Sequence, residues 1–235
     1  MDSKILEEVS CIRADGEIIP IRERIIRETA LTVFVDGRHF ATAMIMAALE
    51  KEYVIGNLYV QGRIENAADI VAFELEDHIA RLELRKGIEP HPLPREIRSD
   101  LKIRSKDIAD CVQAILTSPI FEETGAVHSA GLFLNGKETV SIAEDLGRHN
   151  ALDKVIGAAL LKDVDFSNVL ATSTGRQPTE MILKCLHAGI PIIATKGVPT
   201  SLGVELAEKV GISIVGMVRK NSMIVYSHPE RILCP

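Results

Sequence analysis

Apolar and polar positions alternate with a period of two through much of the first hundred residues, the pattern of half-buried strands. Thr32-Val33-Phe34-Val35 and His39-Phe40-Ala41-Thr42-Ala43-Met44 flank Asp36-Gly37, a pair suited to the positive φ angles of a tight hairpin turn. A second hairpin is predicted from Ile70-Val71-Ala72-Phe73-Glu74-Leu75 and Ile79-Ala80-Arg81-Leu82-Glu83-Leu84 around Glu76-Asp77-His78, and Ala47 to Gln61 between the two reads as helix. Gly87, Pro90, Pro92 and Pro94 then interrupt both periods. Proline fixes φ and removes a backbone donor, so neither a helix nor a central strand crosses this stretch. The boundary it marks divides the chain into a β-rich unit over 1–98, linker included, and a second unit over 99–235.

Beyond the boundary the apolar period lengthens. Ile108, Val112, Ile115 and Leu116 share one helical face, and Asn135-Gly136 marks another hairpin. Then come a helix from Arg148 to Leu161, a strand Val169-Leu170-Ala171, a helix from Pro178 to His187 and a strand from Ile190 to Ala194. A helix from Thr200 to Val210 leads into a strand from Ile212 to Val218. Gly189 and Gly211 stand where helix ends need the left-handed conformation, and Pro178 suits a first turn whose N–H has no intrahelical acceptor. Strand, crossover helix, strand predicts a parallel sheet with helices on both faces. The expected class is α/β (α+β overall).

Composition narrows the function classes. The 235 residues are 46% hydrophobic and 26% charged, with no apolar run of the roughly 18 residues a membrane helix needs. Met1-Asp2-Ser3-Lys4-Ile5-Leu6 followed by Glu7-Glu8 has no basic leader, so a soluble, cytoplasmic protein is expected. A formal net charge of −6 argues against a general nucleic-acid binder, which must neutralise many phosphates. Cys11, Cys111, Cys185 and Cys234 are widely spaced, without the close pairs of a zinc site or a disulfide framework.

In an open parallel sheet, ligands sit beyond the carboxyl ends of the strands, where loops enter helix N-termini that attract anions. Thr172-Ser173-Thr174-Gly175-Arg176-Gln177 and Thr195-Lys196-Gly197-Val198-Pro199, the latter leading to Thr200, are such loops, each with hydroxyls, a glycine and a cation. Helix capping and turn formation account for the same residue types. Two further segments put polar groups at element edges: Thr124-Gly125-Ala126-Val127-His128-Ser129-Ala130 and Glu144-Asp145-Leu146-Gly147-Arg148-His149-Asn150. Glu144 or Asp145 can cap the helix beginning there, and His128 serves as well for a structural histidine as for a functional one. Arg148 and His149, adjacent on a helix, meet one ligand only if the helix N-terminus faces it.

These segments, in order, resemble motifs of the FdhD family of formate dehydrogenase accessory proteins: Thr124-Gly-Ala-Val-His-Ser-Ala, Glu144-Asp-Leu-Gly-Arg-His-Asn-Ala-Leu-Asp-Lys154, Thr172-Ser-Thr-Gly-Arg176 with Thr179-Glu-Met181, and Val198-Pro-Thr-Ser-Leu-Gly-Val204. The resemblance implies a three-layer αβα C-terminal domain of cytidine-deaminase-like fold, in a homodimer. It also implies passage of sulfur from a cysteine desulfurase to the molybdenum or tungsten bis(pyranopterin guanine dinucleotide) cofactor of formate dehydrogenase, held as cargo, with guanosine diphosphate as a mimic. The cofactor's phosphates suit the two loops, and arginine can hold phosphate through two parallel hydrogen bonds. The expected cofactor-binding residues are His128, Glu144, Asp145, Arg148, His149, Ser173, Gly175, Arg176, Lys196 and Thr200.

One departure from the family stands out. Sulfur-transferring members carry a Cys-x-x-Cys pair between the two domains, whereas residues 81–105 here contain no cysteine. The nearest thiol, Cys111, is the candidate sulfur carrier and equally a small core residue. A cofactor-binding chaperone that carries no sulfur covalently is therefore the second reading. The same stretch is locally basic, through Arg81, Arg85, Lys86, Arg95, Arg98, Lys102, Arg104 and Lys106, which suits an acidic partner or a solvated linker. A zinc deaminase is disfavoured because Ser129-Ala130 follows His128 where His-x-Glu is required, with no later Pro-Cys-x-x-Cys, and a nicotinamide enzyme because no Gly-x-Gly-x-x-Gly follows a strand.

Overall fold

A computed structural model describes residues 4–87 and 92–234, so part of the expected leader-free start (1–3) and part of the proline-rich boundary (88–91, with Pro90) lie outside the described residues. The chain opens with an antiparallel ribbon, β1 (Leu6–Ala14) and β2 (Ile18–Ile26), paired from Leu6 with Ile26 to Ala14 with Ile18. No hairpin was expected there. Ile12, Ile18, Ile19 and Ile25 are all exposed, so the ribbon has no consistently buried face for a period-two pattern to report.

The two expected N-terminal hairpins are present. β3 (Thr29–Val35) and β4 (Arg38–Ile45) turn at Asp36 and Gly37 with φ of 49° and 74°. β5 (Ile70–Glu76) and β6 (Ile79–Leu84) turn at Asp77 and His78 with φ of 47° and 61°. The four strands form one sheet in the order β4-β3-β6-β5. The parallel β3–β6 pair at its centre needs a long crossover, and α1 (Glu50–Val60) supplies it. Leu31, Val33, Ile45, Val54, Ile55, Leu58 and Leu82 make the core between this sheet and α1.

The remainder comprises β7 (Ile103–Arg104), α2 (Ser105–Ala114), α3 (Pro119–Thr124), β8 (His128–Leu134), β9 (Glu138–Asp145), α4 (Arg148–Leu160), β10 (Val169–Ser173), α5 (Thr179–Ala188), β11 (Ile192–Thr195), α6 (Ser201–Val210), β12 (Ser213–Arg219), β13 (Ser222–Val225) and β14 (Ile232–Leu233). Six of these strands form a sheet in the order β13-β12-β11-β10-β8-β9. The expected parallel pairing holds for β10, β11 and β12, which α5 and α6 link. It does not extend to β8, β9 and β13, which pair antiparallel, β8 and β9 through the tight turn at Asn135 and Gly136.

Helices cover both faces of this mixed sheet. On one, Leu152, Val155 and Ile156 of α4, Met181 and Leu186 of α5 and Ala207 of α6 pack on Leu132, Ala171, Ile193 and Ile214. On the other, Ile108, Val112 and Ile115 pack with Phe133, Leu170, Ile192 and Val215. Burying each such Val, Leu or Ile contributes about 1.5–3 kcal/mol.

α4 is covered a second time, by α1. The two helices meet glycine to glycine: a Cβ on Gly157 would collide with Glu52 O and lie 2.7 Å from Gly56 N, and one on Gly56 would collide with Asp153 O. This backbone-to-backbone approach ties the N-terminal sheet to the larger one.

Among the described residues, four of the eight basic side chains around the boundary are matched by acidic neighbours. Arg85 pairs with Asp69 at 2.7 Å, Arg104 with Asp107 at 2.9 Å and Lys106 with Asp110 at 3.1 Å, while Arg98 pairs with Glu96. No helix among the described residues is long and apolar enough to cross a membrane.

Candidate functional site

The carboxyl ends of β10 and β11, the amino end of β8 and the start of α4 converge at one edge of the six-stranded sheet. Thr174 joins the end of β10 to the start of β8. Its Oγ1 accepts from Ser129 N at 3.1 Å and lies 3.1 Å from His128 Nδ1, and its N donates to Ser129 O at 3.0 Å. Gly175 follows, with its backbone against the stem of Arg148: a Cβ there would lie 2.5 Å from Arg148 Cδ. Gly197 lies beneath in turn, where a Cβ would be 2.9 Å from Gly175 O. Both glycines are required by close packing of the loops, and neither has a positive φ.

The loops are stiffened from within. Gly175 O accepts from Thr195 Oγ1 at 2.6 Å and from Gln177 Nε2 at 3.0 Å. Gly175 N donates to Ser173 Oγ, Gly197 N to Thr195 Oγ1, Gln177 N to Val198 O and Thr200 N to Gln177 O. An anion site built from loop amides was expected, but these donors are already committed. Side-chain cations are what the edge offers an anion.

Beside the loops lies a cavity of about 410 Å³. Leu116, Phe121, Val127 and Leu146 form an apolar wall, and His128, Ser129, Thr174 and Lys196 a polar one. Its size and mixed lining suit a small ligand. Burial, then the neighbouring Arg148 guanidinium, pulls His128 below its ordinary value. His149 is pulled down by burial, Arg148 and Lys184, against Glu180, whose Oε2 is 3.0 Å from Nε2. Arg148 Nε is buried and, among the described residues, has no hydrogen-bond partner.

The expected site residues separate into two groups. His128 and Lys196 line the cavity, Arg148 stands beside His128 with its stem on Gly175, His149 lies next to Arg148 against Glu180 of α5, and Arg176 is exposed on the loop. Glu144 borders them, accepting from Ser129 Oγ at 3.3 Å. The others hold the loops and helix in shape. Ser173 is fully buried and holds Gly175 N, Gly175 itself lies under Arg148, and Thr200 caps α6 through Gly203 N at 3.2 Å.

Asp145 departs furthest from expectation, because it is fully buried with both carboxylate oxygens occupied by protein donors. It does not cap α4 either, whose N-cap is Gly147 without a side-chain bond. Cys111 also requires correction as a sulfur carrier. It is buried in the core beneath α2, donates to Gly136 O at 3.3 Å and is pushed up to about 12 by burial, then by Asp107 and Asp110. A carrier needs an accessible thiolate, and this thiol is neither accessible nor readily ionised.

Thr174, Ser129 and Leu146 lie in the segments singled out from the sequence but were not among the expected cofactor-binding residues, and Phe121 lies outside those segments. Thr174 had a signal: it follows Ser173 at a strand end, where successive side chains alternate, so one of the two must face out. Phe121 rides on α3, a helix announced by Ser118 at the N-cap, Pro119 at the first position and Gly125 at the end with φ 64°.

The FdhD/NarQ family model matches residues 83–233, which contain every residue of this edge. The chain belongs to the FdhD/NarQ family. It is 30% identical to the sulfur carrier protein FdhD of Methanothermobacter thermautotrophicus, over 97% of this chain and 99% of that protein. With the protein of the same description from Sulfolobus acidocaldarius it shares 32% identity over 93% of this chain and 94% of the other. A crystal structure described as a formate dehydrogenase accessory protein from Desulfotalea psychrophila superimposes with a TM-score of 0.86 at 29% identity, covering 97% of this chain and 100% of that one. Among the described residues of this family member, no group of three or more His, Cys, Asp or Glu side chains is placed to hold a metal ion.

Proposed function

We propose that the chain is a formate dehydrogenase accessory protein that binds the molybdenum or tungsten bis(pyranopterin guanine dinucleotide) cofactor as cargo at the β10–β11 edge and supports its sulfuration. The observation that carries this reading is Arg148: its stem is pinned on Gly175, its Nε is buried without a partner, and it stands beside His128. A buried guanidinium nitrogen left unsatisfied is costly, and a phosphate oxygen would complete it. Arg176 and Lys196 add positive charge at the same edge, and the apolar wall suits a flat ring. The reading extends to a C-terminal domain of cytidine-deaminase-like fold, a cytoplasmic homodimer, and formate dehydrogenase and a cysteine desulfurase as partners.

Titration with guanosine diphosphate tests the site. Arg148→Ala and Arg176→Ala are expected to weaken binding, each by roughly tenfold or more as charge-assisted hydrogen bonds are lost, while Lys162→Ala, in the turn after α4, leaves it unchanged. Equal affinities in all three variants remove the site.

The thiols favour a second reading, a cofactor chaperone without covalent sulfur transfer. Cys111 and Cys185 are buried and both pushed up to about 12, chiefly by burial. Cys11 and Cys234 alone are accessible, neither between the two units. Mass spectrometry after incubation with a cysteine desulfurase and cysteine separates the readings. One added sulfur on a single cysteine supports the carrier and names its thiol; no addition, with a control carrier labelled alongside, supports the chaperone.

A further inference from the structure

Four charged side chains are held between α4 and the N-terminal unit, away from the cavity. Lys154 is fully buried, and its Nζ donates to Asp145 Oδ2 at 2.7 Å, Met46 O at 3.0 Å and Glu144 O at 3.1 Å. Asp145 answers with the same completeness. Its Oδ2 also accepts from Met46 N at 3.1 Å, and its Oδ1 accepts from Gly147 N at 3.1 Å and Asn150 Nδ2 at 2.9 Å. Asn150 Nδ2 reaches Met44 O at 2.9 Å as well. One turn further along α4, Asp153 takes Lys184 at 2.6 Å and Asn57 of α1 at 2.9 Å.

The Asp145–Lys154 pair thus grips two pieces of backbone at once. One is Met46, at the exit of β4; the other is the entry to α4, at Gly147. Arg148 and His149 follow directly. A hydrophobic pair of similar volume would fill the same space, often with no loss of stability, so burial alone does not require charges here. Directional bonds to Met46 and Gly147 are what such a pair would lack.

We propose that Asp145 and Lys154 are positioning residues: by fastening the start of α4 to the Met46 backbone, they let the N-terminal unit fix where Arg148 and His149 stand. The inference rests on the reading of Arg148 as the ligand-binding group. Neither Asp145 nor Lys154 touches the cavity, so any effect on binding must pass through α4. Displacements near an ångström in a positioning group can cost a ligand site one to two orders of magnitude.

The test uses the full chain and two variants. Lys154→Met leaves the Asp145 carboxylate buried without its partner and is at risk of unfolding. Asp145→Asn/Lys154→Met removes both charges, which preserves stability while abolishing the grip on Met46 O and disturbing that on Met46 N. Guanosine diphosphate affinity is measured by calorimetry, with melting temperature alongside, in the parent and in the Arg148→Ala background. The expected result is a roughly tenfold loss of affinity in the double variant at near-parental stability. In the Arg148→Ala background the same change then shifts affinity by less than about twofold, since coupled sites are not additive. Parental affinity in the double variant makes the pair purely structural and overturns the proposal, as does an equal loss with and without Arg148. A parent that binds no guanosine diphosphate defeats the ligand reading alone. The clamp is then judged by amide hydrogen exchange without nucleotide: faster exchange at residues 145–150 in the double variant upholds it, and unchanged rates refute it.

Discussion

Replacing Gly157 by alanine puts one methyl group where α4 and α1 have no room. The new Cβ would collide with Glu52 O and stand 2.7 Å from Gly56 N and 2.8 Å from Glu52 C, all backbone atoms of a helix. No side chain can swing aside, so the two helices must separate. Alanine in place of a helical glycine gains about 1 kcal/mol of propensity, which sets the effect to be overcome. Overpacking a core costs about 1–3 kcal/mol and more where backbone must move. Separation would also loosen Tyr59 on Phe166, stacked at 5.7 Å, and Leu160 on the N-terminal core. The net expectation is a destabilisation of about 2 kcal/mol or more, lowering the melting temperature by roughly 4–8 °C for a chain of this size. Differential scanning calorimetry and urea titration measure it. Gly56→Ala should do the same, and the double variant should cost less than the sum, because one separation relieves both collisions. A Gly157→Ala protein that melts at or above the parent refutes the reasoning.

Thiol reactivity offers a second check. At pH 8 a thiol at about 12 is ionised only about once in ten thousand, so Cys111 and Cys185 should resist iodoacetamide in the native protein while Cys234 reacts; peptide mass spectrometry showing Cys111 alkylated as fast as Cys234 contradicts the packing around α2. The histidines give a pH dependence. His128 and His149 lie below the ordinary value of 6.5, so the unfolded chain takes up protons first as pH falls. Their contribution to stability is intact above about pH 6.5 and is lost as pH drops through the interval down to the folded values. Melting temperature should therefore fall on acidification from pH 7.5 to pH 5.5, and less steeply in His128→Gln/His149→Gln; identical slopes count against it. Cys185→Ser should leave guanosine diphosphate binding intact while lowering the melting temperature, since Cys185 is fully buried in the core away from the loops. Lost binding in a folded Cys185→Ser protein misplaces the pocket.

Much of the fold could be read directly from local pattern. Asp36-Gly37 and Asn135-Gly136 each mark a tight turn, and the helices after Arg148, Pro178 and Thr200 start and stop within about two residues of expectation, because caps, prolines and left-handed glycines act on their own neighbours. The β1–β2 ribbon escaped because its apolar side chains are left uncovered. Site residues were legible by type and only partly by role. Ser173, Thr174 and Thr200 carry the same hydroxyl chemistry, yet Ser173 folds inward, Thr200 caps a helix and Thr174 lines the cavity.

The charged residues of α4 mark the limit of such reading. Asp153-Lys154 in a helix looks like a solvated face, and so it would be if α4 packed only on the sheet. α1 covers that other face, at a distance Gly56 and Gly157 allow, and turns Asp145, Asp153 and Lys154 into buried groups that must find partners. Periodicity and turn chemistry are properties of neighbours along the chain, so the residues alone set the elements and the glycines that end them. Burial depends on what arrives from a hundred residues away. The choice between a surface charge and a buried clamp, or between a carrier thiol and a core thiol at Cys111, was therefore made by packing.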